Sequence, residues 1–129
     1  MRRISARLAY NQDGFTLLEL LIVIVVLSIL MTIAVPTYVG FKVRANNAAA
    51  KSTIREAVPS AEVYYNDQNG TYVGMTTTAL KGIDPKLAPA LRVGSSLSTT
   101  HYCLYANVGG QHWHLDRPTG SAYLTGDCP

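Results

Sequence analysis

Charged side chains are scarce in this sequence, at 15% of residues, and one long stretch nearly lacks them. From Leu17 to Val35 the strongly polar residue is Glu19, with Ser28 and Thr32 as milder exceptions, and the apolar band continues through Pro36 to Tyr38. A bilayer core asks for about 20 apolar residues, so this run is about long enough to cross one. Cysteine is confined to Cys103 and Cys128, and histidine to His101, His112 and His114. No nucleophile, base and orienting group stand in a recognisable spacing, so the chain is not expected to be an enzyme and no catalytic residue or cofactor is expected. His112 and His114, two apart on a strand with His101 as a distant third, read first as exposed polar positions and only second as a metal pair. Asp116 and Asp127 stand isolated in sequence, which weighs against a calcium site.

The positive charge is local as well. Arg2, Arg3 and Arg7 against Asp13 put +2 of the formal +3 into the first fourteen residues, so the basic balance carries no claim of nucleic-acid binding. Lys42, Arg44, Lys51 and Arg55 could touch DNA or an anionic surface. Such residues more often form a solvated helix face or pair with acids, here Glu56 and Glu62. Arg2, Arg3 and Arg7 do support an orientation, because flanking positive charge stays cytoplasmic and the C-terminal part then faces outward.

The order of features at the N-terminus differs from an ordinary secretory signal, in which small residues follow the apolar run. Here the small residue Gly14 precedes it, so cutting after Gly14 would shed the arginines and keep the hydrophobic helix. Glu19 then needs an account, because a carboxylate in the membrane costs about 3 kcal/mol on insertion scales. It lies about one turn into the helix, near the positive end of the helix dipole. Two readings fit: a glutamate snorkelling to the interface, or a partner for a free α-amino group at Phe15 of its own or a neighbouring chain, which would set an axial register.

Gly14-Phe15-Thr16-Leu17-Leu18-Glu19, followed by the apolar run Leu20 to Val35, resembles the cleavage and methylation motif of type IV prepilins and the related pseudopilins. The resemblance implies cutting by a prepilin peptidase after Gly14 and N-methylation of Phe15. It implies an assembly role for Glu19, with Thr16, Leu17 and Leu18 beside it, and a kink at Pro36. It further implies copies of the chain itself, an inner-membrane assembly platform and a motor ATPase as partners. The chain would be single-pass in the cytoplasmic membrane before assembly and extracellular in a filament afterwards. Adhesion, motility, secretion and DNA uptake are tasks of such filaments. A pseudopilin of a type II secretion or competence system shares every N-terminal feature, and an anchored surface binding module or an exported domain cut after Ala34 are further readings.

The two cysteines fit an outward-facing head. In a small exported domain such a pair is most simply a disulfide, the alternatives being two free thiols or a metal pair whose spacing matches no metal motif. In the resembled family a C-terminal disulfide commonly brackets a surface loop, and Cys103 to Cys128 matches that arrangement.

The expected organisation is a leader over 1–14, a transmembrane and filament-core helix over 15–40, and a head over 41–129. The fold class is α+β: a long helix packed on a three-stranded antiparallel sheet, with a C-terminal disulfide loop. Phe41, Ala45, Ala49, Ile54, Ala57, Ala61 and Tyr65 recur at helical spacing, extending the helix over 41–65. Pro36 removes a donor from the Thr32 carbonyl, and Ser28 and Thr32 could bond freed carbonyls through their side chains. The stretch Ser28 to Pro36 is then expected to give up helical bonding when subunits pack, a simple kink being the other account. Pro59 is expected to bend or split the helix. Asn69-Gly70 closes it as a turn, and the glycosylation acceptor Asn69-Gly70-Thr71 is explained by that turn. Residues 66–99 read as an irregular connector with a short helical turn around Leu87 to Leu91. The sheet occupies 100–129: His101 to Val108, the turn Gly109-Gly110, Gln111 to Leu115, and Ser121 to Thr125. A two-residue turn pairs Val108 with Gln111, Ala106 with Trp113 and Leu104 with Leu115, and places Tyr105, Asn107, His112 and His114 on the outward face.

Overall fold

A computed structural model describes residues 14–118, 120 and 122–129. The expected leader, with Arg2, Arg3 and Arg7, lies outside the described residues apart from Gly14. The chain divides into two units that meet between Tyr38 and Val39.

Helix α1 spans Leu17–Asp67. Its segment up to Tyr38 carries apolar side chains on every side, all exposed, from 47% at Leu27 to 89% at Leu17. It is the one described helix long and apolar enough to cross a membrane. The expected split at Pro59 does not occur, since α1 runs through both prolines as one element. At Pro59 the neighbours Ala57, Ser60 and Ala61 are buried, and that packing holds a backbone one hydrogen bond short. Near Pro36 the hydroxyls do not reach the carbonyl that proline strips of its donor. Ser28 Oγ donates to Ile24 O at 2.7 Å, Thr32 Oγ1 to Ser28 O at 3.0 Å and Thr37 Oγ1 to Ile33 O at 3.1 Å.

The second unit is an α+β head. Along α1 the buried residues Ala50, Ile54, Ala57 and Ala61 form one stripe at helical spacing. Against it lies an antiparallel sheet of four strands in the order β1-β2-β3-β4, not three. These are β1 Leu91–Val93, β2 Tyr102–Val108, β3 Gln111–Arg117 and β4 Leu124–Thr125. The hairpin register agrees with the alternation: Val108 faces Gln111, Ala106 faces Trp113 and Leu104 faces Leu115. Gly109 and Gly110 both take positive φ, 57° and 82°, as a two-residue turn in right-twisted strands requires. The final strand is shorter than expected, because Ala122 and Tyr123 precede it outside the ladder, while Ser121 lies outside the described residues.

The connector is where expectation and structure part. Thr77–Ile83 is a helix, α2, whose N-cap Thr76 accepts from the Ala79 amide at 3.1 Å. The run Thr76-Thr77-Thr78 has low intrinsic helix propensity, but its first hydroxyl caps the turn and Leu80 buries fully in the core. The helical turn expected around Leu87 to Leu91 is instead a pair of four-residue turns, Leu87 N to Asp84 O and Leu91 N to Ala88 O. Leu91 then enters β1 and pairs with Ala106. A three-residue edge strand is too short to show a period, so nothing in the local sequence marks it.

Candidate functional site

At the start of α1 the Glu19 amide donates to Thr16 Oγ1 at 3.1 Å, and the Leu20 amide to Thr16 O at 3.2 Å. Thr16 is therefore the N-cap. Its hydroxyl satisfies one of the amides that an apolar environment would leave unpaired. The spacing Thr16-Leu17-Leu18-Glu19 is that of a capping box, a signal legible in the sequence but hidden when Glu19 is read for its charge alone. Glu19 is the acid in the first turn, where the helix dipole favours negative charge. Phe15, Leu17 and Leu18 are exposed at 88%, 89% and 67%, so the motif residues turn their side chains outward around the capped end. No contact joins Glu19 to the Phe15 amide group among the described interactions.

Beyond this terminus the apolar surface is large and continuous, far above the few hundred Å² that soluble monomers leave exposed. Its chemistry is association, with lipid or with like helices. Side chains such as Val23, Val26, Ile29 and Ile33 offer dispersion contacts and no hydrogen bonds.

The head holds its polar groups in pairs. Tyr72 and Tyr102 both donate to the Glu62 carboxylate, at 3.1 Å and 3.3 Å. Burial first, and then the Glu62 charge, push the Tyr102 hydroxyl up to about 12. Burial and the Glu62 hydrogen bond raise Tyr72 as well. The Tyr72 ring lies 4.5 Å from that of Tyr102 and 4.7 Å from that of Tyr65, so the tyrosines are packing elements of the head.

Cys103 and Cys128 form a disulfide, with Cα atoms 5.9 Å apart. It sits on the sheet face away from α1. The histidines do not simply face solvent there, as expected. His114 is buried, its Nδ1 3.1 Å from Gly126 O. His112 Nδ1 lies 2.7 Å from Asp127 Oδ1, and His101 pairs through Nε2 with Asp116 while its Nδ1 meets Ser96 O at 2.6 Å. Asp116 and Asp127, isolated in sequence, are thus engaged by histidines: Asp116 meets His101 where β2 and β3 pair, and Asp127 meets His112 because the disulfide folds residues 126–129 back over the sheet. Among the described residues no group of three or more His, Cys, Asp or Glu is placed to hold a metal. The expected pairing of Lys51 and Arg55 with Glu56 and Glu62 does not form. Lys51 Nζ stands 3.8 Å over the Trp113 ring, Arg55 Nε donates to Tyr123 Oη at 3.4 Å, and Glu56 accepts from Ser52.

Residues 10–35 match the prokaryotic N-terminal methylation motif. The chain is 35% identical over 118 residues to the type IV wide pilus major component PilA4 of Thermus thermophilus, an alignment covering 89% of this chain and 88% of that protein. It is 38% identical over 80 residues to the type IV narrow pilus major component PilA5 of the same organism, covering 51% of this chain and 69% of the relative. Similarity to the type II secretion system core protein G of Pectobacterium carotovorum is 40% over 60 residues, covering 46% of this chain and 38% of that protein.

Proposed function

Because this chain belongs to the family of type IV pilins and pseudopilins, we propose that it is a structural subunit of an extracellular pilus-like filament, made as a single-pass membrane precursor and polymerised through residues 15–38. A prepilin peptidase cuts after Gly14 and methylates the new amine on Phe15. The Glu19 carboxylate then meets the terminal amine of an adjacent subunit, and that ion pair offsets the cost of holding the acid among apolar side chains. Leu17 and Leu18 pack around the pair, and Pro36 marks where the helix yields as neighbours close in. An inner-membrane platform and a motor ATPase drive extrusion. The chain is a building block, not an enzyme.

The observation that carries this reading is the capped Glu19 at the head of an apolar surface that nothing among the described residues covers. A membrane alone would cover that surface and leave the acid uncompensated. A stack of like helices covers it and supplies the cation. The pilus is favoured over a secretion pseudopilin because a pilus component aligns over 89% of this chain and the secretion protein over 46%. Mass spectrometry of sheared surface filaments tests it. The expected mature chain begins at Phe15, carries an N-methyl group and retains the Cys103 to Cys128 bond. A filament chain retaining Met1 would overturn the processing. Glu19→Ala is expected to insert in the membrane at least as well as the native chain and to yield no filaments.

A further inference from the structure

Resting on that filament reading, we propose that the solvent side of α1 between Arg44 and Asp67 is a subunit interface, in which a basic shoulder of one copy meets an acidic shoulder of the next with an offset of twelve residues along the helix. At about 100° per residue, Arg44, Lys51 and Arg55 fall within an arc of about 40°. Glu56 and Asp67 share a second arc about 120–140° further round, and the core residues Ala50, Ile54, Ala57 and Ala61 occupy the third sector. The helix therefore presents the core, a basic flank and an acidic flank at three roughly equal spacings, on the same 3.6-residue turn. Between the two flanks lies a groove lined by Ala48, Ala49, Lys51, Ser52 and Arg55, in which the small side chains of Ala48, Ala49 and Ser52 let a second helix approach closely.

Among the described residues the partners of these charges are neutral: an aromatic ring for Lys51, a phenol for Arg55 and a hydroxyl for Glu56. Arg44, Arg55, Glu56 and Asp67 are exposed. Among the described residues no salt bridge joins Arg44, Lys51 or Arg55 to a carboxylate. Lys51 and Arg55 instead contact Trp113 and Tyr123 along the flank, which leaves their positive charge unneutralised. Glu62 falls within the basic arc, but its carboxylate is taken up by its two tyrosines, and Lys42 stands beside the acidic arc two residues before the interface begins.

The spacing selects a register. Glu56 lies twelve residues beyond Arg44, and Asp67 lies twelve beyond Arg55. A parallel neighbour shifted by about 18 Å therefore aligns both pairs at once. Two different faces of the same chain joined this way form a heterologous contact, which repeats without closing and so builds a helical fibre.

Reversing one flank, by Arg44→Glu with Arg55→Glu or by Glu56→Arg with Asp67→Arg, is expected to lower sheared-filament yield at least about tenfold, because like charges then face each other. Membrane level and the intact disulfide report that the head still folds. Combining all four substitutions restores complementarity and should return the yield to within about twofold. Carbodiimide treatment of filaments carrying Arg55→Lys gives a second readout. A link between position 55 and Asp67 must join two copies, since within one helix these positions stand about 18 Å apart. Unchanged yield in either double reversal, no rescue by the fourfold variant, or no such link would overturn the interface while loss of filaments in Glu19→Ala leaves the filament reading standing. Filaments of normal yield that bind a labelled oligonucleotide and lose it on Arg44→Glu with Arg55→Glu would make the flank a nucleic-acid surface and also overturn it. If Glu19→Ala filaments form normally, the filament reading itself falls.

Discussion

Gly94 packs against the disulfide so closely that a methyl group there would lie 2.8 Å from Cys128 Cβ, 2.9 Å from its Sγ and 3.3 Å from Cys103 Cβ. None of these atoms is the free end of a flexible chain. Gly94→Ala is therefore expected to destabilise the head by about 1–3 kcal/mol, measured by thermal unfolding of the detergent-solubilised full chain. Tyr102 leads to a prediction with a sign. Its hydroxyl is raised to about 12 from the ordinary value of about 10, so its neutral form contributes stability that is complete below pH 10 and lost as pH rises towards 12. Absorbance titration of tyrosinate should show two of the eight tyrosines ionising late, with thermal stability falling over the same interval. Tyr102→Phe should remove one of these late steps. The acidic partner of these tyrosines was not legible, since Glu62 reads in sequence as one more charge on an amphipathic helix.

The elements divide by how local their causes are. In the hairpin, strict alternation on both strands and the Gly109-Gly110 pair set the turn and the facing residues together, and the structure has that register. Gly110 stands at φ 82° with open space around it, so Gly110→Ala meets no clash and should cost about 1 kcal/mol from backbone strain alone, read by denaturant unfolding. In α1 the apolar run and the helical period that follows it were legible, whereas the survival of the helix through Pro59 was not, because it depends on the burial of Ala57, Ser60 and Ala61. At Pro36 no such packing exists among the described residues. Pro36→Ala restores a donor to the Thr32 carbonyl, and amide exchange around Ile33 in micelles is expected to slow. Unchanged exchange there would mean that the proline does not loosen the helix.

For the whole molecule, the covalent closure of the C-terminus has non-covalent reinforcement. Besides the disulfide, residues 126–129 are held by the Gly126 amide donating to His112 O at 3.0 Å, by His112 on Asp127, and by Ser96 Oγ donating to the Pro129 carbonyl at 3.1 Å. Replacing both cysteines by serine should cost about 3 kcal/mol in the chain-entropy account, and leave the β2 and β3 hairpin folded at low temperature. A lower melting temperature with an unchanged circular dichroism spectrum below it is the expected result. A head already unfolded in the cold would show that the histidine and serine contacts contribute little.

The sequence by itself determined the features whose causes lie within a few residues: the apolar span with its one acid, the processing motif, the helical period and the hairpin register. Tertiary structure decided the rest. Leu91 becomes a strand because Ala106 is beside it, and His114 is buried because a tail pinned at Cys128 passes over it. The acids at 116 and 127 find histidines, while Lys51 and Arg55 of α1 find aromatic rings, through approaches between residues distant in the chain. Period and propensity report what a segment can form. What covers it, and which charge ends beside which, depends on contacts that exist only once the chain has closed on itself.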